Sequence, residues 1–159
     1  MTFIKHKKQL ISKLIKRKIK LCIAESITGG KLAYEFIKNE GASNYFEYSV
    51  VTYSNQAKES ILKIGKKIEN NGVISAEVAE SLAQNVRKYS RSKKILALSC
   101  SGLASKSDKN ETHKVGTVFI CIIFGRKRKI KKKFFGNRTR TQIINETIKE
   151  IIIEANSML

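Results

Sequence analysis

Ile19-Lys20-Leu21-Cys22-Ile23-Ala24-Glu25-Ser26-Ile27-Thr28-Gly29-Gly30 decides the fold. Ile19 to Ala24 is a short apolar run bounded by charge, the pattern of a buried strand. Glu25-Ser26 turns polar, and Thr28-Gly29-Gly30 leads into a helix over Lys31 to Lys38. A serine just past a strand, with two glycines opening a helix, can present its hydroxyl beside unpaired backbone N–H groups. Those N–H groups and the helix dipole favour an oxyanion or a phosphate. Turns of Ser, Thr and Gly are common, so this corner taken alone reads first as a structural turn.

Upstream, Phe3, Ile4, Leu10, Ile11, Leu14 and Ile15 recur at helical spacing between lysines, which predicts a helix from Phe3 to Arg17. Downstream, Glu40-Gly41-Ala42-Ser43-Asn44 is turn chemistry, and Tyr45 to Tyr53 has the aromatic and β-branched content of a strand. Ser54 is an N-cap for a helix from Asn55 to Ile64, and Ser75 caps a longer one reaching Tyr89. Lys94 to Ser99 is a third strand, followed by a polar stretch from Ser101 to Lys114. Val115 to Phe124 and Lys129 to Phe135 form a hairpin through Gly125-Arg126-Lys127-Arg128. The last helix runs from Thr139 to Ala155 on a stripe of isoleucines. This alternation predicts a three-layer α/β/α domain around a mixed five-stranded sheet, with residues 1–159 forming a single domain.

Composition narrows the classes. The 159 residues suit one domain with a real core, and 42% hydrophobic content is that of a globular chain. No apolar run approaches the roughly 20 residues of a membrane span, and the basic N-terminus lacks a signal-peptide core. A cytoplasmic address is expected. Cys22, Cys100 and Cys121 sit in apolar runs and lack metal-ligand spacing. With His6 and His113 as the two histidines, no metal site and no cofactor is expected, and the cysteines read as buried thiols. The net charge of +19 invites a polyanionic partner. Yet the lysines are spread along the chain, without interleaved aromatics. The chain has no proline or tryptophan and is rich in Lys, Ile and Asn, as A/T-rich codon usage would make it. That explanation is favoured over general anion attraction, and nucleic acid is the least favoured partner.

Four segments lie just past strand ends, where open α/β sheets bind ligands. They are Ala24 to Gly30, Thr52 to Lys58, Ser99 to Ala104, and Gly136-Asn137-Arg138. Lys58 follows Ser54 by four residues, on one helix face, and a plain solvated lysine is its structural alternative. Arg138 can grip phosphate or carboxylate.

Together these segments resemble the CinA C-terminal domain family, whose members include nicotinamide-nucleotide amidases. Ala24-Glu25-Ser26-Ile27-Thr28-Gly29-Gly30 is similar to the family's AES-x-TGG, and Val51-Thr52-Tyr53-Ser54-Asn55-Gln56-Ala57-Lys58 to its VTYSN-x-AK. Asn71-Gly72-Val73-Ile74-Ser75 resembles HGAVS, and Lys114-Val115-Gly116-Thr117-Val118 resembles KPVGTV without its proline. The likeness covers residues 5–155. It implies hydrolysis of the amide of nicotinamide mononucleotide to nicotinate mononucleotide and ammonia, with Ser26 as nucleophile and Tyr53 and Lys58 as its activating pair. The larger family proteins also carry a nucleotide-pyrophosphatase-like domain, so a stand-alone amidase is expected.

Serine attacks an amide only if a base takes its proton. His6 lies in the first helix and His113 in a loop, which leaves Lys58. An ordinary lysine, with a pKa of about 10.4, is neutral in roughly 1 molecule in 2,500 at pH 7. Burial and the surrounding cations must lower it by about 2 units. Tyr53 would relay the proton or orient the lysine. Thr28, Gly29 and Gly30 would serve the oxyanion or the phosphate, with the phosphate assigned by preference to Arg138, Ser101 and Gly102. Departures from the family pattern fall around the substrate. Ser105-Lys106 replaces Gly-Pro, Asn137 replaces an acid, and Gln142 replaces an arginine, with Arg140 nearby. They favour, as alternatives, a related phosphorylated amide or a degenerate nucleotide- or nucleic-acid-binding domain. The expected partner is a small phosphorylated molecule, with no membrane; a homodimer is the working expectation for assembly.

Overall fold

Period-two alternation along the strands sends side chains to two separate cores. In β1 (Lys20–Glu25), Leu21 and Ile23 pack with Leu10, Leu14, Leu32, Phe36, Ile148 and Ile152. Those partners come from α1 (Phe3–Lys16), α2 (Lys31–Ile37) and α6 (Arg140–Met158). Cys22 and Ala24 point the other way, onto Leu62, Val78 and Leu82, which belong to α3 (Asn55–Leu62) and α5 (Ala76–Val86). The same alternation recurs in β3 (Ile95–Gly102), with Leu96, Leu98 and Cys100 on the first core and Ala97 on the second. The structure is a computed structural model describing residues 2–106 and 112–159. Residues 107–111, part of the polar stretch expected from Ser101 to Lys114, lie outside the described residues.

The sheet order is β2-β1-β3-β4-β5. β2 (Phe46–Val51) and β3 flank β1 in parallel, while β4 (Thr117–Phe124) and β5 (Lys127–Phe134) follow as antiparallel neighbours. The fold is therefore a three-layer α/β/α domain with a mixed five-stranded sheet. The chain leaves β1 toward β2 on one side, while β3 pairs on the other. The carboxyl end of β1 is thus a topological switch point, where a crevice opens between diverging connections.

Differences from the sequence expectations are local. Ser54 and Ser75 do cap their helices, accepting from the N–H of Ala57 and Val78. The helix after Ser54 stops at Leu62, because Lys63 turns left-handed (φ 56°), and a short helix α4 (Gly65–Asn71) follows that the sequence did not reveal. The long helix breaks at Val86 into a 3-10 turn, Arg87–Tyr89. β3 continues through Ser101 and Gly102, which had been expected in a loop. β4 begins at Thr117 and β5 at Lys127, so the hairpin turn is the pair Gly125-Arg126, with Phe124 opposite Lys127. Thr139 caps α6 in a capping box closed by the Gln142 side chain.

Candidate active site

Ser26 stands one residue beyond β1 and is 8% exposed. Among the described residues its hydroxyl makes no hydrogen bond, so it is available to a ligand. What holds the corner is Glu25. Its side chain is fully buried, and one carboxylate oxygen accepts from Thr28 Oγ1 (2.7 Å), Gly30 N (2.9 Å) and Leu32 N (3.1 Å). The other accepts from Ala33 N (2.9 Å) and Ser49 Oγ (3.1 Å). Helix α2 is thus capped from inside by the chain's own anion. Gly29 and Gly30 take left-handed backbone angles (φ 57° and 96°), which lets the chain double back over this carboxylate.

The consequence overturns one expectation. Gly29 N–H donates to the Ser26 carbonyl (3.2 Å) and Gly30 N–H to Glu25, so neither is free for an oxyanion or a phosphate. The Thr28 hydroxyl is likewise engaged, with Glu25 and with Cys100 Sγ (3.3 Å). Ile27, the residue after Ser26, lines the crevice, and its N–H has no hydrogen-bond acceptor among the described residues.

Lys58 is not the solvated surface lysine of the structural alternative. It sits one turn into α3, is 1% exposed, and donates from Nζ to the Tyr53 carbonyl (2.8 Å). It has no ion-pair partner among the described residues. Burial pushes its ammonium pKa down to about 8, with a nearby Cys100 acting weakly the other way. Burial holds the Cys100 thiol protonated, at a pKa of about 11. Tyr53 orients the lysine through its backbone. Its ring is 59% exposed, and its hydroxyl receives Arg140 Nη2.

Ser26, Tyr53, Lys58, Ser101 and Gly102 line one crevice of about 190 Å³. Ser101 and Gly102 contribute shape rather than donors. The Ser101 hydroxyl donates to the Val73 carbonyl (2.7 Å), and a Cβ on Gly102 would meet Val118 Cγ2 at 2.7 Å and Thr117 O at 2.9 Å. Arg138 does not line the crevice; it pairs with Glu146 (3.7 Å). Arg140 does, resting on Tyr53 and on Ser105 Oγ (3.0 Å) at the rim. The sequence signal for it was weak: an arginine two positions from the expected one. Just before α6 the chain crosses the approach to β4 closely, where Phe135 N donates to Gly116 O (2.9 Å). A Cβ on Gly116 would lie 2.8 Å from Gly136 O. Asn55, at the start of α3, also faces the crevice. Lys58 and Arg140 are the charged residues in this lining, and none is acidic. Among the described residues no His/Cys/Asp/Glu group could hold a metal, and no helix is long and apolar enough to cross a membrane.

The family model for the CinA C-terminal domain matches residues 4–159. A "Putative competence-damage inducible protein" of Caldanaerobacter subterraneus is 39% identical over 135 residues, 83% of this chain and 32% of that protein. A "CinA-like protein" of Prochlorococcus marinus is 39% identical over 137 residues, 84% of this chain and 31% of that protein. The chain thus spans about a third of the length of the curated relatives it matches. Among solved structures, the competence damage-inducible protein A of Klebsiella pneumoniae superposes with TM-score 0.90 at 19% identity, covering 99% of this chain and 96% of that one. A CinA superfamily protein of Enterobacter cloacae gives 0.90 at 23% identity, covering 99% and 92%.

Proposed function

The chain belongs to the CinA C-terminal domain family, and on that footing we propose that it is a serine amidohydrolase converting nicotinamide mononucleotide to nicotinate mononucleotide and ammonia. One observation carries the reading: the unengaged Ser26 hydroxyl shares a crevice with a buried lysine whose pKa is lowered to about 8.

Neutral Lys58 takes the proton from Ser26 Oγ as the oxygen attacks the carboxamide carbon. The carbonyl oxygen becomes an oxyanion, for which Ile27 N–H, without an acceptor among the described residues, serves as donor. As the tetrahedral intermediate collapses, the C–N bond breaks and Lys58 returns the proton to the departing nitrogen, releasing ammonia. The ester left on Ser26 is then attacked by water. Lys58 again takes the proton, and its return to Ser26 Oγ frees the carboxylate product. The Tyr53 carbonyl, which accepts from Lys58 Nζ at 2.8 Å, holds the amine through the cycle.

The phosphate belongs at the rim, with Arg140 as its charged partner and the first turn of α3 behind it. A crevice whose charged residues are both cations suits an anionic substrate. Ammonia release from nicotinamide mononucleotide tests the reading, with Ser26→Ala and Lys58→Ala measured beside the unaltered chain. Release is expected from the unaltered chain and a loss of at least about 10³-fold in both variants. Equal release by all of them would overturn it.

A further inference from the structure

Where the cations lie on this fold is more informative than how many there are. On β5, Lys129, Lys131 and Lys133 are answered by Glu154 and Glu150 of α6, and Arg128 by Glu80. At the end of the sheet opposite Ser26 this pairing ceases. The turn after α1 carries Lys16 to Lys18, the approach to β3 carries Lys93 and Lys94, and the β4–β5 tip carries Arg126 and Lys127, all exposed. None makes an ion pair among the described residues. Glu47, near the start of β2, stands beside these segments but accepts from Ser90 and Ser92 rather than from a cation. A/T-rich codon usage supplies lysines, but it does not decide which of them pair with carboxylates.

We propose that this basic pole docks the phosphate backbone of duplex nucleic acid, without reading its sequence. The three segments sit on β1, β3 and the β4–β5 tip, consecutive positions across the sheet. At about 4.8 Å per strand they span about 14 Å, close to the roughly 12 Å width of a major groove, so phosphates of both strands come within reach. The tip is anchored by Arg87 Nη1, which donates to Gly125 O (3.2 Å), and Arg17 lies over the Phe124 ring. Of the rings beside these cations, Phe124 lies under Arg17 and Tyr89 donates its hydroxyl to the Ile61 carbonyl, while Ile15 is an exposed apolar side chain next to Lys16. The basic pole lies away from Ser26 and is independent of the amidase reading.

Fluorescence anisotropy with a labelled duplex of about 20 base pairs tests it. Engagement of about five phosphates predicts affinity falling about 500-fold between 50 and 200 mM salt. Reversing Lys93→Glu, Lys94→Glu and Arg126→Glu together should lower the log–log salt slope by about 3 and weaken binding at low salt by more than tenfold. The matching Gln triple should show a smaller loss in the same direction. Reversing Lys5, Lys8 and Lys114 to Glu changes net charge equally and should leave affinity within about threefold; Ser26→Ala should leave it unchanged. Four results would overturn the proposal. These are equal loss in both reversed triples, absent binding, salt-insensitive binding, or tighter binding to single strands or anionic vesicles than to duplex.

Discussion

Removing the buried amine at position 58 should abolish hydrolysis and stabilise the fold, and the stabilisation should disappear as the pH rises. In the unfolded chain Lys58 titrates near 10.5; in the folded chain burial brings it to about 8. Between those values the unfolded state binds the extra proton, so stability of the wild type increases with pH. Below pH 8 the full penalty applies, about 3 kcal/mol from 2.5 units at about 1.36 kcal/mol each. From pH 7 to pH 10 the wild type should regain most of it, on the order of 2–3 kcal/mol. Lys58→Met fills similar volume without charge, but it strips the Tyr53 carbonyl of its donor, a loss of about 1 kcal/mol. The net gain at pH 7 is about 2 kcal/mol, or roughly 4–8 °C in Tm for a chain of this size. Urea unfolding of both proteins from pH 7 to 10 isolates the effect, because every other titrating group is shared. A stability difference that stays flat across that range would refute the buried lysine of lowered pKa on which the mechanism depends.

Hydrolysis should rise with pH and level off above an apparent pKa of about 8, since the base must be neutral; kcat measured from pH 6 to 10 checks this. Arg140→Ala should raise KM for the phosphorylated substrate by at least about tenfold with little change in kcat. Arg138→Ala should stay within about twofold, and steady-state kinetics on the two variants separates them. Glu25→Gln places an amide N–H₂ where backbone N–H groups now donate, and should cost about 2–4 kcal/mol by denaturant unfolding. Gly102→Ala forces a methyl into Val118 and the Thr117 carbonyl, and should cost about 1–3 kcal/mol by the same measurement.

The strand-turn-helix corner at Ser26 was legible because its signals are local: an apolar run, a polar break and two glycines. Ser54 and Ser75 declared their helices for the same reason, since a cap acts within three residues. What the corner does with its donors was not legible. Glu25 looked like the polar end of a strand, and only the doubling back of Gly29-Gly30 brings Gly30, Leu32 and Ala33 N–H onto its carboxylate. Helix α4 escaped notice because Gly65-Lys66-Lys67-Ile68-Glu69-Asn70-Asn71 has one apolar residue and no cap. Arg140 and Arg138 could not be told apart by spacing; in the fold Arg140 lines the crevice while Arg138 pairs with Glu146. The basic pole is a three-dimensional property altogether, assembled from turns some 75 to 110 residues apart in the chain, counting from Lys18 to Lys93 and Arg126.

Trapping the acyl-enzyme tests the Ser26–Lys58 pair most directly. Turnover with nicotinamide mononucleotide would be quenched in acid within milliseconds and the peptide spanning Ser26 analysed by mass spectrometry. An ester of the pyridine carboxyl on Ser26, absent in Ser26→Ala and in Lys58→Ala, is the predicted result. Ammonia released at full rate while the Ser26 peptide remains unmodified, with Ser26→Ala still active, would contradict the account.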